Sequence, residues 1–97
     1  MSPAPDLQLA HDLSFGARPL VPRSRWAGCF YCLERFRAAE VQEFTGGDET
    51  PICPRCGVDS VILDATGFRP THVFLRRMEA RWFGLMRRYT SRRVRRG

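Results

Sequence analysis

The most regular pattern of hydrophobic and polar positions lies near the carboxyl end of the chain. Between residues 72 and 89, apolar side chains recur at helical spacing and share an arc of about 120° on a helical wheel. The apolar set is Phe74, Leu75, Met78, Trp82, Leu85, Met86 and Tyr89, and the opposite side carries Arg76, Arg77, Arg81, Arg87 and Arg88. Thr71 is a suitable N-cap because its hydroxyl can accept a hydrogen bond from a first-turn amide. The pattern predicts one amphipathic, basic helix over 72–89.

The positions at the edges of this helix give two further predictions. Arg92 would enter the apolar arc if the helix continued, so we expect residues 90–97 to form a solvated, Arg-rich tail. Phe83 falls near the middle of the outer face, where an exposed ring among arginines could stack on a base, enter a lipid interface or meet a protein. The wheel therefore predicts that Phe83 is exposed.

The middle of the chain, residues 26 to 63, is short-patterned and rich in turns. "TGGDET" at 45–50 predicts a hairpin turn, because its glycines can take positive φ and its aspartate can bond nearby backbone. "VDSVIL" at 58–63 is a β-branched run that predicts one short strand. "ERFRAAEVQEF" at 34–44 is compatible with a strand or with a helical turn. Together these patterns predict a β-hairpin or a short three-stranded sheet.

Residues 1–25 show no sustained period and contain four prolines. They predict an extended, Pro-rich arm, although its scattered apolar residues could dock on the domain; these are Leu13, Phe15, Leu20 and Val21. The start carries acids and prolines where a secretory signal would have a basic region and an apolar run. Nor does any stretch approach the ~18 apolar residues of a membrane span. We therefore expect a cytoplasmic protein without a membrane span.

The four cysteines follow the spacing Cys29-x2-Cys32-x20-Cys53-x2-Cys56. Paired Cys-x2-Cys turns can aim four sulfurs at one point, and in the cytoplasm such pairs are more often metal sites than disulfides. Gly57 fits this arrangement, since a glycine after the second cysteine of a pair relieves backbone crowding. Disulfides and a redox pair remain alternatives. The spacing favours one structural Zn²⁺ held by all four thiolates.

A closed four-sulfur site leaves no open position for water or substrate, so the sequence predicts no enzyme and no small-molecule substrate. The zinc deaminase signature is absent, because Ile52 stands where that signature has proline and no histidine is followed two residues later by glutamate. His11 and His72 are expected to be surface or cap histidines. No candidate catalytic residue emerges.

Charge divides the chain into two unequal parts. Residues 1–65 hold six Arg against nine Asp and Glu, whereas residues 66–97 hold ten Arg against the single Glu79. This excess exceeds what solubility requires and predicts binding to RNA or DNA through the helix and tail. The candidate phosphate contacts are Arg76, Arg77, Arg81, Arg87, Arg88, Arg92, Arg93, Arg95 and Arg96. The alternative is an adaptor or inhibitor that grips an acidic protein.

Several stretches resemble a family of small bacterial zinc-ribbon proteins of uncharacterised function. They are "CFYCLERF", "AEVQEF", "TPICPRCGVDSVI", "ATGF" and "FLRRMEARWF", within residues 27 to 83, and the most specific is "CPRCGVDSVI". The resemblance implies a cytoplasmic, metal-stabilised domain with Cys29, Cys32, Cys53 and Cys56 as ligands, and implies no activity.

Two other resemblances are weaker. "CPRCGV" is also similar to the second knuckle of rubredoxins, which hold iron for electron transfer but are typically acidic. Paired knuckles around a Gly-Gly turn resemble HNH endonucleases, but residues 33–52 lack the histidine base that those enzymes need. The fold class predicted from the sequence is a small α+β, zinc-ribbon-like domain over 26–89. Its helix is expected to pack through Phe74, Met78, Trp82 and Leu85.

Overall fold

The computed structural model describes the backbone of residues 5–96 and the side chains of residues 5–84. It is a small α+β structure with five short strands and two α-helices. The helices are α1 (Leu7–Ser14) and α2 (His72–Arg96), and the strands are β1 (Trp26–Cys29), β2 (Arg35–Arg37), β3 (Phe44–Thr45), β4 (Thr50–Pro51) and β5 (Val61–Leu63). Turns of 3₁₀-helix lie at Arg18–Arg23, Ala38–Glu40 and Asp64–Thr66.

The strands form a three-stranded antiparallel sheet and a separate hairpin. The sheet has the order β2-β1-β5, so that Ala27 of β1 pairs with Phe36 on one side and Leu63 on the other. β3 and β4 form the hairpin predicted around "TGGDET", with positive φ at Gly46, Gly47 and Asp48. The ambiguous stretch 34–44 contains both β2 and a 3₁₀ turn. The three-stranded sheet and the hairpin are therefore confirmed.

The sheet is covered on both faces, which divides the interior into two cores. All three residues of β5 are buried, as expected for a strand enclosed on both sides. We call the first core the cluster Ala17, Ala27, Cys29, Phe36, Ala38, Val41, Cys53, Val61 and Leu63. The second core is the cluster Ala10, Phe30, Ile62, Phe74, Leu75 and Met78. Alternate positions of one strand thus serve two different cores.

The prediction that residues 1–25 form an extended arm is wrong for the part that the structure describes. Asp6 caps α1 by accepting a hydrogen bond from the Leu9 amide at 2.9 Å, and Ala10 is buried in the second core. The 3₁₀ segment that follows lays Leu20 and Val21 against the first core. The physical reason is that both faces of the sheet are apolar and must be buried: α1 joins α2 in covering one face, and the 3₁₀ segment covers the other.

Hydrogen bonds attach this amino-terminal segment to distant parts of the chain. The Arg18 amide donates to the Glu49 carbonyl at 2.9 Å, and the Gly16 amide donates to Thr50 Oγ1 at 2.9 Å. The amides of Arg25 and Trp26 donate to the two carboxylate oxygens of Asp64, at 3.1 and 3.0 Å. The segment is therefore packed as part of the domain.

Helix α2 begins where the sequence predicts. Thr71 Oγ1 accepts a hydrogen bond from the Phe74 amide at 3.1 Å, and Leu75 and Met78 are fully buried. The helix continues to Arg96, beyond the predicted end at 89 and through most of the predicted tail. No proline or glycine interrupts residues 85–96, and arginine is a good helix former. Leu85, Met86, Tyr89 and the arginines from Arg87 onward lie outside the described side chains.

Phe83 is half-buried, which corrects its prediction as an exposed ring. Its ring contacts Tyr31 edge-on, at 4.9 Å between centroids, and Phe30 at 5.7 Å. The helical wheel represents α2 as packing on one surface only. In the structure, Phe30 and Tyr31 also contact the helix, so a wider arc of α2 is buried. In the part of the chain that the structure describes, no helix has the length and apolar character needed to cross a membrane.

Gly28 tests the close contact between β1 and the start of α2. A Cβ at this position would lie 2.7 Å from Leu75 Cδ1 and 3.0 Å from Pro70 Cβ. We expect Gly28→Ala to lower the free energy of unfolding by about 1–3 kcal/mol, the usual cost of overpacking a core. Urea unfolding of the metal-loaded protein measures it.

Gly84→Ala is the matched control, because a Cβ at Gly84 in α2 meets no atom within 4 Å. It should be neutral or stabilising by up to about 1 kcal/mol, since alanine is the better helix former. Equal destabilisation by both variants would contradict the close packing at Gly28.

Candidate metal centre

The two Cys-x2-Cys turns sit at corresponding places in the strand arrangement. The first begins at Cys29, the last residue of β1, and leads into β2. The second lies between β4 and β5 and begins at Cys53. Because β5 pairs with β1 in antiparallel register, Cys29 lies opposite Val61, and the second turn arrives beside the first. The sheet therefore brings together two turns that are separated by twenty residues.

The four sulfurs lie at the corners of a small polyhedron. All four Sγ atoms are within 4.8 Å of one another. Across the two turns, Cys29 Sγ is 3.7 Å from Cys56 Sγ, and Cys32 Sγ is 3.8 Å from Cys53 Sγ. For metal–sulfur bonds of about 2.3 Å, the edges of a regular tetrahedron are about 3.8 Å. The cluster can hold one tetrahedral, thiolate-bound metal ion.

The same distances argue against the disulfide alternatives. A disulfide requires sulfurs about 2.05 Å apart, and all four cysteines are free thiols in the structure. Burial also differs among them: Cys29 and Cys53 are buried in the first core, Cys32 is half-buried and Cys56 is exposed. The first cysteine of each pair thus anchors its turn in the core, and the second lies nearer to solvent.

Backbone amides point at the anchored sulfurs. The amides of Tyr31 and Cys32 donate to Cys29 Sγ at 3.2 and 3.4 Å, and the Arg55 amide donates to Cys53 Sγ at 3.3 Å. Such bonds stabilise the thiolate form and fix the direction of the sulfur. Each turn therefore supplies part of the environment that its own ligand needs.

The two turns share one backbone conformation, although the residue after the second cysteine is leucine in the first turn and glycine in the second. The residue after the second cysteine has positive φ in both, +67° at Leu33 and +82° at Gly57. In both, that residue's amide donates to the first cysteine's carbonyl at 2.9 Å. A leucine pays about 1–2 kcal/mol for this conformation, which glycine does not. Leu33 packs against the second core, and this contact offsets the strain.

Ser60 completes the surroundings of Cys29. Its side chain is 1% exposed, and its Oγ lies 3.0 Å from Cys29 Sγ. Its carbonyl accepts the Phe30 amide at 2.9 Å, which fixes the backbone of the first turn. The cysteine spacing alone assigns no role to Ser60. Its position four residues after Cys56, just before β5, was the available signal.

These contacts divide the thiols by acidity. Burial acts to raise the pKa of Cys29, but hydrogen bonds from Ser60 and from the amides of Cys32 and Tyr31 outweigh it and hold that pKa below its ordinary value. Burial, together with the charge on Cys29, raises the pKa of Cys32 to about 11 and raises that of Cys56 further. Cys29 therefore loses its proton more readily than Cys32 and Cys56, and a bound cation would favour the thiolate forms of those two.

An exposed ion pair ties the second turn to the rest of the domain. Arg55 Nη2 lies 3.0 Å from Glu40 Oε1. Glu40 also accepts the Arg37 amide through Oε2 at 3.2 Å, and the Arg55 guanidinium lies 5.9 Å from the Phe36 ring centroid. Exposed pairs contribute about 0–1 kcal/mol, so this one orients the turn more than it stabilises the fold.

The remaining predicted site residues lie away from the sulfurs. Arg76, Arg77 and Arg81 are exposed on α2, and Arg81 lies over the Trp82 ring at 4.1 Å. Their exposure agrees with the helical wheel. The side chains of the other six predicted contacts lie outside the described residues; these are Arg87, Arg88, Arg92, Arg93, Arg95 and Arg96.

His11 differs from its prediction as a surface histidine. Its ring stacks on Trp82 at 3.8 Å and approaches Phe15 edge-on at 5.1 Å. This stack joins α1 to α2, because both helices cover the same face of the sheet. His72 is exposed at the start of α2, as predicted.

Comparisons of this chain with protein-family models, with curated proteins and with solved structures find no match. The resemblance to small zinc-ribbon proteins therefore stays a prediction from the motifs. What is established is the α+β fold and a four-cysteine cluster that can hold one metal ion.

Ser60→Ala should weaken metal binding without unfolding the loaded protein. Loss of a partner that orients a ligand typically reduces metal affinity by about 10- to 100-fold. Competition with a chromophoric chelator measures the change. Ser14→Ala is the matched control, because Ser14 is also a buried serine but donates to the His11 carbonyl, away from the sulfurs. Equal metal affinity in both variants would contradict this role of Ser60.

Proposed function

We propose that this protein is a non-enzymatic binding module that holds one structural Zn²⁺ and binds nucleic acid through its basic carboxyl-terminal part. The observation that carries the proposal is the closed set of four sulfurs, separated by 3.7 and 3.8 Å across the two turns. Four protein ligands complete a tetrahedron and leave no exchangeable position for chemistry. The proposed binding activity therefore belongs to the protein surface, away from the metal.

Zinc is the proposed metal because its preferred environment agrees with the donor set. It accepts four thiolates in tetrahedral geometry and has no redox chemistry, and four-cysteine sites are a common structural form. The metal's role would be to link the end of β1 to the segment before β5. Its contribution would be large here, since the three paired strands are only three or four residues long.

Metal removal should unfold the domain. We expect the purified protein to be colourless with one zinc per chain, and a strong chelator to abolish its cooperative thermal transition. Metal analysis and thermal scans followed by circular dichroism measure both. Cys29→Ser should reproduce the loss, whereas Ser14→Ala should not. A red protein containing iron would replace zinc by a rubredoxin-type site, and a chelated chain with an unchanged transition would remove the metal from the proposal.

The support for nucleic acid is the separation of charge along the chain. A zinc bound by four thiolates carries a local charge of −2, which adds to the acidic balance of residues 1–65. Residues 66–97 contain ten arginines and one glutamate. Arg76, Arg77 and Arg81 are exposed on α2. An arginine-coated helix is suited to phosphate contacts because each guanidinium can bond a phosphate through two N–H groups.

Affinity for single-stranded RNA or DNA should fall steeply with salt. Each phosphate contact contributes about −0.7 to the slope of log K against log salt for single strands. Replacing the four arginines of residues 92–96 by glutamine should flatten the slope by up to about 3. Replacing the same four by lysine is the matched control and should preserve it. Binding that ignores both salt and the glutamine variant would end the proposal.

An acidic protein partner is the competing outcome of the same experiments. It would appear as capture of one defined protein after nuclease treatment, with polyglutamate competing as well as an oligonucleotide does. Competition by the oligonucleotide alone would favour nucleic acid.

A further inference from the structure

The groove beside Trp26 has features of a binding site that the helix arginines do not explain. Trp26 is the first residue of β1, the central strand of the sheet, yet it is 40% exposed. Trp26 stands at the end of this strand, where it pairs with β2 alone, and its exposed indole is available for contact. The other large hydrophobic residues found exposed among the described side chains are Leu9, Phe15 and Val73.

Two arginines of the neighbouring strand flank the indole. Arg37 pairs directly opposite Trp26, and Arg35 lies two residues along the same face of β2. Their guanidinium carbons are 5.3 and 5.9 Å from the ring centroid. Both distances are within the range of about 6 Å for cation–π attraction, so the indole and the two cations hold one another in place.

A loop next to the sheet closes the groove. The groove has a volume of about 270 Å³, and its lining is Trp26, Arg35, Asp64, Arg69, Pro70 and Thr71. Pro70 packs closely against β1, since its Cβ lies 3.0 Å from the position that a Cβ on Gly28 would take. It therefore forms a fixed side of the groove. Pockets for drug-sized ligands are about 300–1,000 Å³. The groove is therefore suited to one planar ring with an adjoining charged group.

The charge of the groove favours an anion. Arg35, Arg37 and Arg69 are exposed and form no ion pair within the described part of the chain. Asp64 is the acid of the lining, and both of its oxygens already accept hydrogen bonds from the amides of Arg25 and Trp26. Three guanidinium groups without a carboxylate partner among the described residues thus lie near Trp26: Arg35 and Arg69 in the groove lining, and Arg37 over the indole.

We propose that this groove binds single-stranded nucleic acid, with one base stacked on Trp26 and the adjoining phosphates on Arg35, Arg37 and Arg69. This inference rests on the proposed function and deepens it by placing a base-contacting site on the sheet, outside α2. An aromatic platform with flanking cations is the combination by which single strands are held without sequence readout. A duplex cannot use it, because its bases are already stacked on one another.

The test is fluorescence anisotropy of the full, metal-loaded chain with a labelled oligothymidine of about 12 nucleotides, within the usual site sizes. Trp26→Ala should weaken binding by about 5- to 150-fold, the loss expected for one base–aromatic stack. Trp26→Phe should retain most of the affinity, and Trp26→Leu should lose it. Arg35→Gln should flatten the salt slope by about 0.7.

Phe15→Ala is the matched control, because Phe15 is an exposed aromatic residue outside the groove lining. It should leave affinity unchanged. Metal content and the unfolding midpoint of each variant should equal those of wild type, because the replaced side chains are exposed. A duplex of the same length should bind equally to wild type and Trp26→Ala.

Three outcomes would overturn the inference. Wild type that binds the oligonucleotide with Trp26→Ala unchanged removes the groove and leaves the proposed function intact. Equal loss of duplex or polyglutamate binding in Trp26→Ala makes the groove a general anion surface without base stacking. Wild type that binds no oligonucleotide at low salt removes the proposed function and the groove together.

Discussion

The convergence of four cysteine sulfurs on one point is the constraint on which the rest of the structure depends. Strands of three or four residues cannot hold a sheet by their own hydrogen bonds. The sulfur cluster joins the end of β1 to the segment before β5, and a metal bound there would offset the cost of closing that loop. Amides and the Ser60 hydroxyl aim at the buried sulfurs, so the cluster and the sheet support one another.

The second requirement is cover for both faces of a very small sheet. Helix α2 buries Leu75 and Met78 on one face, and α1 reaches the same face through Ala10. The opposite face is covered by the 3₁₀ segment that follows α1, and hydrogen bonds hold this segment to the hairpin and to Asp64. Trp26 lies on the α2 side of the sheet, beside the loop that leads into the helix, and its ring is 40% exposed next to the arginines of β2.

Stability and the proposed activity occupy different parts of the molecule. The sulfur cluster and the two cores account for the fold, and four thiolates holding one Zn²⁺ would carry a net charge of −2 in a part of the chain that is already acidic. The arginines lie on α2 and around Trp26, and the loop Arg69–Thr71 leads directly from the groove into the helix. The residues that line the groove include none of the four cysteines, so the proposed binding does not involve the metal site.

The sequence by itself determined the features that depend on local chemistry. Cysteine spacing predicted the four-sulfur cluster, the Gly-Gly-Asp turn predicted the hairpin, and helical periodicity with a threonine cap predicted the start and buried face of α2. The hairpin and the helix start depend on residues close in sequence, the cluster depends on a Cys-x2-Cys spacing that occurs twice, and each is confirmed.

Only the tertiary structure decided which surfaces needed cover and what covered them. Residues 7–23 show no sustained hydrophobic period that would predict their helices. The two apolar faces of the sheet hold them in place, α1 beside α2 on one face and the 3₁₀ segment on the other. Phe83 is packed because Tyr31, in the turn after β1, contacts α2, and His11 is packed because α1 lies against α2. A helical wheel of one segment cannot represent contacts with other elements. The Trp26 groove likewise depends on residues from β1, β2 and the loop before α2, brought together by pairing across the sheet.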